Sequence, residues 1–162
     1  MNLSYDSYLT FKHGSKYEIV LNKTDKDSLS IDYQGDMLNL KIGDIYNVTV
    51  YCPQLPIMTI EKKDKDGTLV YVDSTFQSGD FVVTSLKNSF LEFKKCRFDK
   101  VDIQSKNKTE ISMENSEVKL LNLSLPKHST LNLNYSTILT KNIVLGDSCS
   151  VNIIGNQPNF LK

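Results

Sequence analysis

Arginine is almost missing from this chain: Arg97 is the only one among 19 basic residues. The planar forks that grip phosphate and carboxylate bidentately are therefore scarce, which disfavours a dedicated phosphate site. Excess charge of either sign is missing too, since 19 basic residues meet 19 acidic ones. No field is present to draw in a nucleic acid, and no nucleic-acid partner is expected. Histidine is limited to His13 and His128, neither in an HxH, HxxxH or HExxH spacing. Cys52, Cys96 and Cys149 lie far apart, with no CxxC and no histidine beside them, so neither a zinc site nor a dithiol redox motif is spelled. An odd number leaves at least one thiol unpaired in a monomer. All three are expected as free, partly buried residues behaving as small apolar groups; one disulfide stays open should the chain be exported.

Long hydrophobic runs are missing as well. The start, "MNLSYDSYLTFKHGSKY", has no basic lead into an apolar stretch, and no segment approaches a membrane span. Direct membrane insertion is not expected. The compartment is extracytoplasmic, periplasm or cell surface, if an export signal preceded Met1, and otherwise cytoplasmic.

Helical periodicity is absent, and strict alternation stands in its place. The stretches 17–22, 28–33, 37–42, 46–51, 56–61 and 68–73 each alternate apolar with polar residues, separated by Lys, Asp, Gly, Asn and Pro. The chain is expected to be all-β.

From about Leu69 the alternating segments repeat every 20 residues. Leu91, Ile111, Leu131 and Val151 form one column, and Phe93, Met113, Leu133 and Ile153 the next. Two more are Phe98, Val118, Ile138 and Val83, Ile103, Leu123, Ile143, while Cys96, Ser116 and Ser136 put small residues at a bend. Upstream, Val70 and Val72 require a slip of one residue. Fixed apolar columns at such a period predict a single-stranded right-handed parallel β-helix, or β-solenoid, with coils of about 20 residues. One coil buries too little apolar surface to offset its own ordering entropy, so the coils must stack and their ends must be capped. Residues 1–67 lack the register and read as an N-terminal β-meander or irregular coils with a capping role; residues 68–162 read as the coils, in one continuous unit. At the far end, Pro158 suits a final edge strand, with Phe160 and Leu161 folding over it as a small cap.

The order "YEIVLNKTDKDSLSIDY", "MLNLKI", "YNVTVYCPQLPIMTIEKKDKDGTLVYVD" and then a run of coils is similar to the GIN-domain family of auto-transporter adhesin head domains. The family's pattern of a V-T-V-Y strand, a proline-containing turn and an apolar strand matches Val48 to Ile60, whereas its Gly/Ala-rich turn is replaced by "EKKDKDG", as in a divergent member. The resemblance implies a β-solenoid-like domain that is exported, with no cofactor and no catalytic residues to carry over.

No catalytic constellation is legible. His128 reads as a solvated turn residue after Pro126, and "EKKDKDG" and "NKTDKDS" read as solvated hairpin turns, because their lysines would oppose a bound cation. Polysaccharide cleavage needs two acids facing each other roughly 5–10 Å apart. Glu92, Asp102, Glu114 and Glu117 are followed one rung on by Ser112, Asn122, Asn134 and Thr137, so no acidic face builds up.

What remains is surface. Outward ladders of Glu92, Ser112, Asn132, Asn152 and of Asp102, Asn122, Asn142 are expected to hydrogen-bond along themselves. A sharper reading makes Asp102, Asn122, Asn142, Asn132 and Asn152 a ligand face for a glycan or another cell-envelope component, with Tyr135 as a stacking platform. The sequence thus points to a non-enzymatic β-solenoid module of the cell envelope, for binding, adhesion or spacing. The alternatives are a self-associating, bactofilin-like cytoplasmic scaffold and, less favoured, a small polysaccharide-acting enzyme.

Overall fold

A computed structural model describes residues 8–24, 30–34, 37–41, 46–55, 57–60, 68–73, 79–85 and 88–155. Every regular element among them is a strand: β1 (Tyr8–His13), β2 (Glu18–Thr24), β3 (Ser30–Gln34), β4 (Met37–Lys41), β5 (Tyr46–Cys52), β6 (Ile57–Ile60), β7 (Thr68–Val72), β8 (Asp80–Ser85), β9 (Ser89–Lys94), β10 (Arg97–Ser105), β11 (Thr109–Glu114), β12 (Glu117–Leu125), β13 (Thr130–Asn134), β14 (Thr137–Leu145) and β15 (Ser150–Ile154). From β5 onward successive strands alternate between two facing sheets. One runs β15-β13-β11-β9-β7-β1-β5-β2 and the other β14-β12-β10-β8-β6, which is the topology of a parallel β-solenoid.

The 20-residue register is the observed pairing. Ile111 stands between Leu91 and Leu131, and Leu131 pairs in turn with Val151. Phe98, Val118 and Ile138 align in the second sheet, as do Val83, Ile103, Leu123 and Ile143. The slip upstream is also present, with Val70 opposite Leu91 and Val72 opposite Phe93. Each rung thus lays its apolar residues on those of the rung before, and the columns Leu91, Phe93, Ile111, Met113, Leu131 and Leu133 are fully buried. Near the first of these rungs Phe81, Phe93 and Phe98 meet, with centroids 5.0 and 5.6 Å apart in the two edge-to-face pairs; such contacts contribute about 0.5–1.5 kcal/mol each beyond area burial.

Alternation breaks once in each long strand. Phe98 and Val101 are both buried with Asp99 and Lys100 outward between them, and Val118 and Leu121 flank Lys119 and Leu120 in the same way. Two consecutive outward residues turn the strand around the core, so β10 and β12 cover two sides of the coil.

The N-terminal strands take the irregular-coil form rather than a meander. β1 is inserted between β5 and β7 and runs parallel to both. It brings Leu9 and Phe11 into the columns of Val48 and Val50 on one side and Val70 and Val72 on the other. β2 then pairs antiparallel with the far side of β5, so the short link 14–17 straddles the end of that strand. The tie is tight at Gly14, whose N–H donates to the Cys52 carbonyl at 3.0 Å and whose position leaves a Cβ only 3.0 Å from Tyr51 Cβ. β6 pairs parallel with β8, and among the described residues only β3 and β4 form a local antiparallel pair.

The stretch 61–67 was expected to be a hairpin turn. Its residues lie outside those described. Of the stretch 22–28, also expected to be a turn, residues 22–24 belong to β2 and the others lie outside the described residues. The expected cap of Pro158, Phe160 and Leu161 lies outside the described residues.

Candidate functional site

The coil corners hold the most ordered polar chemistry. At the first corner the residue entering the bend has positive φ: Lys95 (54°), Asn115 (49°), Tyr135 (51°) and then Gly155 (104°). The next residue is the small one of the column. Ser116 Oγ accepts the Cys96 N–H at 3.1 Å and donates to the Glu114 carbonyl at 3.1 Å. Ser136 Oγ does the same for the Ser116 N–H, at 3.1 Å, and the Asn134 carbonyl, at 3.2 Å. Each hydroxyl thereby satisfies a buried backbone donor of the rung before it, which is why the position must be small and polar.

A second corner works alike, and sequence reasoning missed it. Ser129 Oγ accepts the Thr109 N–H at 3.1 Å, and Ser89, Thr109 and Ser129 are all buried. Cys149 continues that column and donates through Sγ to the Pro126 carbonyl at 3.1 Å. The signal was available, because 89, 109, 129 and 149 carry Ser, Thr, Ser and Cys at the same 20-residue spacing.

Two cysteines are therefore corner residues. Cys96 stands where other rungs have serine, its Sγ 3.4 Å from the Lys94 carbonyl, and Cys149 occupies the matching place at the second corner. All three thiols are free. Burial pushes the Cys52 thiol up to about 11 and the Cys96 thiol up to about 12, so neither supplies a thiolate nucleophile near neutrality.

The predicted ladders face outward in register. Asp102, Asn122 and Asn142 align, and Asn142 Nδ2 donates to Asn122 Oδ1 at 2.9 Å. Glu92, Ser112, Asn132 and Asn152 align, and Asn152 Nδ2 donates to Asn132 Oδ1 at 2.8 Å. Asn132 Nδ2 reaches Glu110 Oε1 at 3.2 Å, and Asp102 instead pairs with Lys100 at 3.1 Å. Tyr135 is exposed at the corner, with its ring over Gly155. It lies off both ladders, one step around the bend from β13.

The acids considered for hydrolysis are all engaged by cations. Lys94 stands between Glu92 (2.9 Å) and Glu114 (3.7 Å), and Arg97 meets Glu117 at 3.0 Å. The hydrogen bond that Lys94 donates to the Glu92 carboxylate holds the ammonium above its usual range. Asp99 and Lys119 bridge successive rungs at 2.6 Å; the Lys119 hydrogen bond holds the Asp99 carboxyl below its usual range. His128 sits exposed in a turn at positive φ, its N–H donating to the Asp147 carbonyl at 3.2 Å. Among the described residues no three His, Cys, Asp or Glu side chains group so as to hold a metal, and no helix is long and apolar enough to cross a membrane. Comparison with known proteins yields no matching family model, no matching curated protein and no matching solved structure.

Proposed function

We propose that this chain is a non-enzymatic β-solenoid module of the cell envelope that serves as a rigid spacer and presents its asparagine ladders to a glycan or another envelope component. The observation that carries the reading is the pair of amide contacts, Asn142 to Asn122 at 2.9 Å and Asn152 to Asn132 at 2.8 Å. An asparagine amide has two N–H donors and two acceptor lone pairs. Each ladder contact uses one donor and one acceptor, and Asn132 gives a further donor to Glu110 at 3.2 Å; the amides repeat at the strand spacing of about 4.8 Å. A flat row of amides fixed on one another suits a ligand with repeating hydroxyls. The envelope placement is supported by the GIN-domain resemblance, in which such domains are exported.

The test is retention of glycan arrays and envelope fractions by the purified chain, alongside Asn142→Ala and Asn152→Ala. Retention that both variants lose supports the ladder as the binding face. No retention by the parent chain removes binding and leaves the spacer role. Turnover of any retained polysaccharide, or a purely cytosolic distribution of the native protein on cell fractionation, overturns the reading.

A further inference from the structure

The last rung differs from those before it on its outward side. The position held by Asp99 and Lys119 becomes Leu139, and that held by Gln104 and Ser124 becomes Val144. The position held by Lys94, Glu114 and Asn134 becomes Ile154. Leu139, Val144 and Ile154 are 64%, 68% and 53% exposed. Charge drains away in the same direction: residues 97–115 carry eight charged side chains, 117–135 three and 137–155 two, Lys141 and Asp147. Three outward columns turning apolar together, as charge disappears, mark this end as a surface built for cover.

The backbone agrees. Among the described residues β14 and β15 are the outer strands of their sheets, and Ile138, Ile143, Val151 and Ile153 are only partly buried there. Natural edges are blunted by charges, bulges or prolines. The opposite edge of the first sheet, β2, has all of this except proline: a register shift between Leu21 and Lys23, and the charged Glu18 and Lys23. β15, Ser-Val-Asn-Ile-Ile, has no charge, no proline and an unbroken register with β13. In the second sheet the column Phe81, Val101, Leu121 ends in Lys141, an inward lysine of the kind that blocks further stacking. One sheet is left open to pairing and the other is guarded.

We propose that the C-terminal end of the solenoid is an interface for a second copy of this chain, with β15 of each copy pairing antiparallel across a two-fold axis. The end is self-complementary: identical coil cross-sections meet, an antiparallel pairing centred on Asn152 sets Val151 of each copy against Ile153 of the other, and the rung's two charges, Lys141 and Asp147, are of opposite sign, so the junction gathers no net charge. Because a two-fold junction uses the same end of both copies, the product is a closed pair and not a growing filament. Asn152 belongs both to this edge and to an asparagine ladder, but self-association needs no ligand and Ile154 lies off the ladders, so a failure of either reading leaves the other standing.

Sedimentation velocity of the full chain from micromolar to near-millimolar concentration tests it, with Ile154→Lys and Asn152→Lys on β15 and Ser124→Lys on the preceding rung as control. All three side chains concerned point outward, and circular dichroism verifies that each variant folds. The expected result is a reversible monomer–dimer equilibrium that both β15 variants weaken about tenfold or more and the control leaves unchanged. A parent chain that stays monomeric throughout overturns the proposal, and so does a dimer indifferent to both variants or growth into open polymers. If removing 156–162 turns a monomer into a dimer, the end belongs to the chain's own tail and the proposal falls.

Discussion

The strongest constraints on single residues lie at the corners, where a side chain is selected for what it does to a neighbouring rung's backbone. Ser116 illustrates this: its hydroxyl is the acceptor for the buried Cys96 N–H. Ser116→Ala leaves that donor unsatisfied and is expected to lower stability by about 1–3 kcal/mol in chemical denaturation. Cys96→Ser supplies the residue that the next two rungs use, so its stability at neutral pH should stay within about 1 kcal/mol of the parent. The same substitution has a pH signature. The Cys96 thiol is raised to about 12 from an ordinary 9.0, so the folded chain holds this proton more tightly than the unfolded one. That contribution is complete below pH 9, and it is lost as pH rises from 9 toward 12. Stability of the parent should fall over this alkaline window, and Cys96→Ser should fall less steeply; equal slopes would remove Cys96 as a cause. In native-state alkylation followed by mass spectrometry, the half-buried Cys149 should react ahead of buried Cys52 and Cys96.

At the scale of the strand, facing is decided by the alternation that the sequence displays, and adjacent residues differ sharply in consequence. Leu123 is buried between Ile103 and Ile143, whereas its neighbour Ser124 is exposed beside Gln104 and Val144. Leu123→Asp buries a carboxylate with no partner and should unfold the rungs around it, while Ser124→Asp should change stability by less than about 0.5 kcal/mol. Similar melting temperatures for the two variants would mean that the columns are misassigned. Those columns were legible from Leu69 onward because each apolar residue there recurs at a fixed spacing, and even the one-residue slip at Val70 and Val72 could be read. β1 was not legible. Leu9 and Phe11 alternate correctly, but their neighbours Val48, Val50, Val70 and Val72 lie about 40 and 60 residues away, and no local period reveals an insertion of that kind. The asparagine ladders were read from the same alternation. The corner at Ser89, Thr109, Ser129 and Cys149 was missed because its residues change type from rung to rung while keeping one role, small size with a polar atom.

For the molecule as a whole, stacking makes stability nearly one-dimensional: each rung is held by its two neighbours, and the ends have one neighbour each. The two ends are built differently. At the N-terminal end β1 is interleaved between β5 and β7 and β2 closes the sheet, so opening there must break pairings among four strands at once. At the C-terminal end β14 pairs only with β12 and β15 only with β13 among the described residues. Local opening should therefore begin at the C-terminal rung and be most costly around β9 to β12, where Phe93, Phe98, Ile111 and Val118 are fully buried. Amide hydrogen exchange at low concentration should show protection rising from β15 through β13 to β11, the inner amides exchanging only by near-global opening. Uniform protection from end to end would mean a single cooperative unit and would refute the gradient. If β15 pairs with a second copy, raising the concentration should add protection to β14 and β15 and leave β9 to β12 unchanged, because a copy that binds only the closed rung stabilises that rung by mass action.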